Sequence, residues 1–136
     1  MSDVNRVIES GRAVLGIEFG STRIKAVLIG EDHAPIATGA HDWENMLVDG
    51  IWTYSLDMIW EGISDCYSKM AQDAKEKYGV TIKKLAAIGI SGMMHGYLPF
   101  DKEDNLLVPF RTWRNTITGA AAAALTEVLG FKNQQR

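Results

Sequence analysis

The sequence has one cysteine, Cys66, in 136 residues. No internal disulfide can form, and the fold cannot lean on covalent staples. Only three histidines are present, and no Cys/His group has metal-ligand spacing, which excludes a zinc-type site. Long apolar runs are missing too. The longest covers 120–125, far short of the roughly 20 residues that a membrane span needs. The opening MSDVNRVIES lacks the apolar core of a signal peptide. An excess of positive charge is also absent: the net charge is -3 and the pI about 5.6, so neither nucleic acid nor a membrane surface is an expected partner. The cytoplasm is the expected location.

What is present suits one globular domain: 46% hydrophobic and 23% charged residues. Residues 2–10 predict a short helix capped by Ser2 or Asp3 and ended by Gly11. The stretches 13–19 and 24–29 are short, rich in branched residues, and separated by Gly20-Ser21-Thr22-Arg23, which predicts a β-hairpin. A third strand is expected over 35–41, with Pro35 at its start. Residues 42–54 read as irregular around the Asp49-Gly50 turn signal.

From Ser55 onward, Leu56, Ile59, Trp60, Ile63, Tyr67, Met70, Ala71 and Ala74 recur at helical spacing. Ser55 caps this helix, and Gly79 closes it after Lys75 and Lys77. The run 85–90 predicts a buried strand. Segments 96–100 and 106–110 are strand-like around the polar turn 101–105. Thr116 or Thr118 opens a last helix through 129, closed by Gly130. A meander followed by a helical crossover predicts an α/β fold: a mixed sheet with flanking helices.

Three segments carry chemistry. In Gly16-Ile17-Glu18-Phe19-Gly20-Ser21-Thr22-Arg23-Ile24-Lys25, the turn offers backbone N–H groups and two hydroxyls, the parts of an anion cradle. Glu18 is a carboxylate for Mg²⁺, and Lys25 or Arg23 a cation for phosphate. The plainer reading is a hairpin with solvated charges. In Gly89-Ile90-Ser91-Gly92-Met93-Met94-His95-Gly96, a strand ends where ligands bind in open α/β sheets. His95 either hydrogen-bonds a hydroxyl or is a satisfied core histidine. In Phe110-Arg111-Thr112-Trp113-Arg114-Asn115-Thr116, a ring beside amide and guanidinium donors suits a polyol. The plainer alternative is a buried Trp113 with Asn115 as helix cap. Ser91 with His95 is also a Ser/His pair, but no nucleophile elbow or acidic partner accompanies it.

Taken together these segments resemble the N-terminal region of the FGGY carbohydrate kinases. LGIEFGSTRIKAVLIG at 15–30 resembles the opening G-I-D-x-G-T-[ST]-x-x-K pattern. IGISGMMHGYLPFD at 88–101 resembles the xylulokinase-type G-Q-M-H-G segment. VPFRTWRNT at 108–116 stands where the family has P-x-x-x-W-[NQ]-D, and Gly50-Ile51-Trp52 with 55–60 resembles its G-W-x-E-x-x-P-x-x-W stretch. The likeness covers 13–131.

The resemblance implies a ribonuclease H-like, actin-like ATPase fold, with 1–12 as an extension and 13–136 as the incomplete N-terminal portion of kinase domain I. It implies transfer of the ATP γ-phosphoryl group to a sugar or polyol hydroxyl, with Mg²⁺. It assigns Gly20, Ser21, Thr22 and Lys25 to the phosphates, Glu18 to the metal, and Met94, His95, Trp113 and Asn115 to the sugar. No catalytic residue is assigned, because the family's base Asp lies beyond residue 136.

This sequence departs from the pattern by Glu18 for Asp and by Arg114-Asn115 for the Asn/Gln-Asp pair. Glu18 and Arg114 keep an alternative open beside the kinase, a non-catalytic actin-like module that binds sugar or nucleotide. Family members are several times longer, so the rest of a kinase chain is the expected partner. The 136 residues alone are expected to be inactive, marginally stable and prone to self-association, for example as a homodimer.

Overall fold

A computed structural model describes residues 3–130. Helix α1 (Asp3–Glu9) buries Val7 and Ile8 in the core. Strands β1 (Val14–Phe19), β2 (Arg23–Ile29) and β3 (Pro35–Asp42) form the expected antiparallel meander. Helix α2 (Leu56–Tyr78) then crosses over to β6 (Ala87–Gly92), which pairs parallel with β1. The sheet order is β3-β2-β1-β6, so the sheet is mixed. Helix α3 (Gly119–Leu129) follows.

Helix α2 is delimited as its sequence predicts. Ser55 Oγ accepts from the Met58 N–H at 3.1 Å, satisfying one of the orphan donors of the first turn. Gly79 closes the helix in left-handed backbone, its N–H on the Lys75 carbonyl. Its buried residues Gly62, Cys66, Met70 and Ala74 are spaced by four, a stripe of mostly small side chains. That stripe lets α2 settle onto β3 and β2. Gly39 of β3 lies so close beneath it that a Cβ would strike the Cys66 carbonyl and the Met70 nitrogen. The core is therefore one-sided: Leu15, Ile24, Ala26, Leu28, Ile36 and Ala37 from the sheet meet Met70 and Cys66 from the helix. Each fully buried large aliphatic side chain contributes about 1.5–3 kcal/mol. Trp60, at helical spacing with the core residues, instead faces out.

Several expectations are corrected. Residues 42–54 are not wholly irregular, because Met46–Val48 (β4) and Ile51–Thr53 (β5) form a small hairpin about Asp49-Gly50. The strand expected to be buried over 85–90 is β6, exposed along its whole length, with Ile90 71% exposed. The apolar run was a correct strand signal. Burial failed because β6 is the sheet edge and α2 covers only the β2–β3 side. Segments 96–100 and 106–110 are joined by two single bridges, Tyr97 with Arg111 and Phe100 with Leu106, rather than as strands. Asp101 builds the turn between them by accepting from the Glu103 and Asn105 N–H groups. The last helix starts at Gly119. Thr118 stands at its cap without a side-chain bond, and no α3 residue is buried. Ser2, the other cap considered for the first helix, lies outside the described residues.

Candidate functional site

The β1–β2 turn is held through its acceptors. The Gly20 carbonyl accepts from Trp43 Nε1 at 2.8 Å, the Ser21 carbonyl from the Tyr54 hydroxyl at 2.6 Å, and the Thr22 carbonyl from the Trp43 N–H at 3.1 Å. The Gly20 N–H closes the turn on the Arg23 carbonyl at 3.0 Å. Among the described residues, no hydrogen bond engages the N–H of Ser21 or Thr22 or either hydroxyl. A turn fixed by its carbonyls, with adjacent N–H donors uncommitted, is the arrangement an anion can use. The residues that do the fixing form an aromatic column. Trp43 stacks on Tyr54 with centroids 4.2 Å apart, flanked by Phe19 at 6.2 Å from Trp43 and Phe110 at 5.9 Å from Tyr54. Trp43 and Tyr54 lay in the stretch read as irregular. Their aromatic character was visible, but their contact with a turn more than twenty residues earlier was not.

Glu18 stands opposite Lys25 across β1–β2, and opposite Ser91 across β1–β6. Lys25 Nζ reaches Glu18 Oε2 at 3.2 Å, an ion pair with both side chains about half exposed. Such pairs are worth little in stability, so both charges stay available to a ligand. With Arg23, Thr38, Ala40 and Ser91, they line a groove of about 830 Å³ over the sheet. One carboxylate at a strand end fits Mg²⁺, which keeps several waters and takes the rest of its shell from phosphate oxygens. No cluster of three acidic, His or Cys ligands exists among the described residues.

A second cavity, about 610 Å³, is lined by His95, Tyr97, Arg111, Thr112, Trp113 and Asn115, among others. The fold thus brings three of the four sugar-side residues together. The fourth, Met94, is 77% exposed and outside the lining. His95 adopts φ 62°, left-handed backbone that a residue with a Cβ visits uncommonly. Trp113 is 55% exposed, so the alternative of a buried Trp is corrected. Asn115 does not cap α3. Its Oδ1 accepts from the Trp52 N–H at 2.9 Å, and its Nδ2 donates to the Trp52 and Thr112 carbonyls at 2.8 and 3.0 Å. Both polar atoms of that amide are committed to the main chain.

Arg111 belongs to the segment whose guanidinium donors suit a polyol, but neither it nor Thr112 was assigned to the sugar. Arg111 Nε and Thr112 Oγ1 are buried with no hydrogen-bond partner, a costly state for polar atoms. A cation beside the tryptophan motif was the available signal. Ser91 lines the groove while His95 lines the cavity, and the two share no hydrogen bond, so the geometry lends nothing to a Ser/His hydrolase.

The described residues contain no helix long and apolar enough to cross a membrane. No curated protein sequence matches the chain. Among solved structures, a xyloylose kinase from Brucella ovis superposes with a TM-score of 0.68 at 24% identity, covering 88% of this chain and 24% of that one. A gluconate kinase from Lactobacillus acidophilus gives 0.70 at 20% identity, covering 88% and 23%. A glycerol kinase from Plasmodium falciparum, solved with ADP, gives 0.59 at 17% identity, covering 90% and 24%. At these identities the likeness speaks to fold, which is the actin-like one expected. The chain spans about a quarter of the length of each of these proteins. The family model described as "FGGY family of carbohydrate kinases, N-terminal domain" matches residues 13–136. The groove, the turn and the tryptophan-lined cavity therefore sit in a chain that belongs to the FGGY family of carbohydrate kinases.

Proposed function

We propose that this chain is part of an ATP-dependent kinase that transfers the γ-phosphoryl group to a hydroxyl of a ketose or polyol. The observation that carries the reading is the turn at 20–22: three carbonyls consumed by the fold, with the Ser21 and Thr22 donors left uncommitted, between the strand that carries Glu18 and the strand that carries Lys25. Phosphoryl transfer asks mainly for positioning and charge stabilisation, and these residues supply both.

In this reading Gly20, Ser21 and Thr22 bind the phosphates through backbone N–H groups and hydroxyls, and Lys25 offsets their charge. Glu18 would hold Mg²⁺, and that ion would supply neutralisation of the phosphate charge. His95, Trp113 and Arg111 orient the sugar, and Met94, outside the cavity lining, is the fourth sugar-side residue of the reading. Asn115 contributes by holding the segment rather than by touching the sugar. The base that accepts the hydroxyl proton, and the adenosine pocket, come from the rest of a longer chain. Residues 1–12 are an extension ahead of domain I, and 13–136 its N-terminal portion. The cytoplasm is the compartment that suits this activity.

One observation favours a second reading, a non-catalytic binding module. The position that carries Asp in the family motif holds Asn115, whose amide is spent on the main chain. The test is a screen of ketoses and polyols against the complete polypeptide carrying these residues, with coupled ADP detection. Sugar-dependent ADP release that Glu18→Gln lowers by about a hundredfold is the expected result. Binding of ADP and sugar without turnover would select the module instead.

A further inference from the structure

Tyr54 was not among the residues singled out by sequence. Its hydroxyl is the middle of a hydrogen-bond chain that starts beside Trp113 and ends on the turn. Arg114 Nη1 donates to Asn45 Oδ1 at 3.4 Å, Asn45 Nδ2 donates to the Tyr54 hydroxyl at 3.4 Å, and the Tyr54 hydroxyl donates to the Ser21 carbonyl at 2.6 Å. Every link runs donor to acceptor in the same direction. The one phenolic proton is committed to Ser21, and the Asn45 amide occupies an oxygen lone pair. Tyr54 is 1% exposed and Asn45 7%, so water does not compete freely for these groups. The far end is anchored as well, because the Arg114 guanidinium lies 4.1 Å over the Trp52 ring.

From this geometry we infer that Tyr54 is a positioning residue for the nucleotide phosphates, and that Asn45 and Arg114 tie its hydroxyl to the tryptophan-bearing segment of the second cavity. The inference rests on the reading of the turn as the phosphate site. Donors aid a phosphate only when they are already in place before it arrives, and the 2.6 Å bond sets the peptide plane whose nitrogen belongs to Thr22. The two 3.4 Å links lie beyond the usual range for strong hydrogen bonds, so most of the effect resides in Tyr54 and less in Arg114.

The experiment measures ADP and adenosine affinity by calorimetry on the complete polypeptide, for the parent, Tyr54→Phe and Arg114→Met. Tyr54→Phe keeps the ring stacked on Trp43 and removes only the hydroxyl. It is expected to weaken ADP about tenfold and leave adenosine unchanged, because adenosine has no phosphate to misplace. Arg114→Met is expected to weaken ADP about threefold with the same selectivity. ADP affinity unchanged in both variants overturns the inference, as does an equal loss for ADP and adenosine. Should Tyr54→Phe not fold, Arg114→Met decides by the same two criteria. A folded parent that binds no ADP at all removes the phosphate reading itself, and the inference with it.

Discussion

The Asn115 side chain makes a reciprocal pair with the backbone of Trp52, accepting from its N–H at 2.9 Å and donating to its carbonyl at 2.8 Å. This joins the tryptophan-bearing segment to β5, 63 residues away in sequence. A carboxylate can replace the acceptor but not the donor. Asn115→Asp would leave the Trp52 and Thr112 carbonyls facing a negative charge. A loss of about 1–3 kcal/mol in urea unfolding is expected, with Asn115→Ala on the same scale.

Arg111 answers to the other cavity. Its Nε is buried without a partner, so removing the side chain should cost the fold little and the ligand much. Arg111→Met is expected to raise the KM for the sugar about tenfold while the melting temperature holds. Arg111→Lys should not restore it, because an ammonium cannot reproduce the guanidinium fork. Steady-state kinetics beside thermal melts separates the two effects.

Acid should loosen the helix–sheet contact. The Lys69 hydrogen bond, then that of His41, holds the Asp65 carboxyl below its ordinary range. The Lys77 hydrogen bond, then the Thr38 N–H, does the same for Asp73. A lowered folded value means that the unfolded chain binds more protons in acid. The stabilisation is therefore complete above the ordinary value near 3.8 and disappears as pH falls through the lower folded values. Urea midpoints should be level above about pH 5 and drop below about pH 4. Asp73→Asn should make that drop shallower and lower the midpoint at neutral pH. Both carboxylates are partly exposed, so salt should shrink the effect.

Gly39 tests the closeness of α2 to β3. A methyl group there would fall on the Cys66 carbonyl and the Met70 backbone nitrogen, and neither can move without shifting the helix. Gly39→Ala is expected to cost about 3 kcal/mol or more and to reduce the soluble yield. Gly89→Ala, where a Cβ meets nothing within 4 Å, is the control and should be nearly silent.

Among the described residues, β6 is exposed and no residue of α3 is buried, which leaves Ile88, Ile90, Leu125 and Val128 open. Sedimentation should show concentration-dependent association, with a homodimer as the first species. A rigid monomer with a high melting point would count against it.

Local chemistry was enough for much of this protein. Branched residues around Gly20-Ser21-Thr22-Arg23 determined the hairpin, Ser55 and Gly79 bounded α2, and the order of elements implied a mixed sheet. These depend on backbone preference and periodicity within a few residues, which a sequence displays directly. The motifs at 15–30, 88–101 and 108–116 likewise pointed to the family.

Tertiary structure decided what depends on distant neighbours. Whether the apolar run at β6 is buried turns on which strands α2 reaches, and α2 lies on β2 and β3. Whether Asn115 meets a ligand or a backbone turns on where Trp52 comes to rest. Tyr54 showed nothing in its own surroundings that tied it to Ser21, 33 residues earlier. A hydrogen bond is set by positions in space, and only packing brings those two residues together.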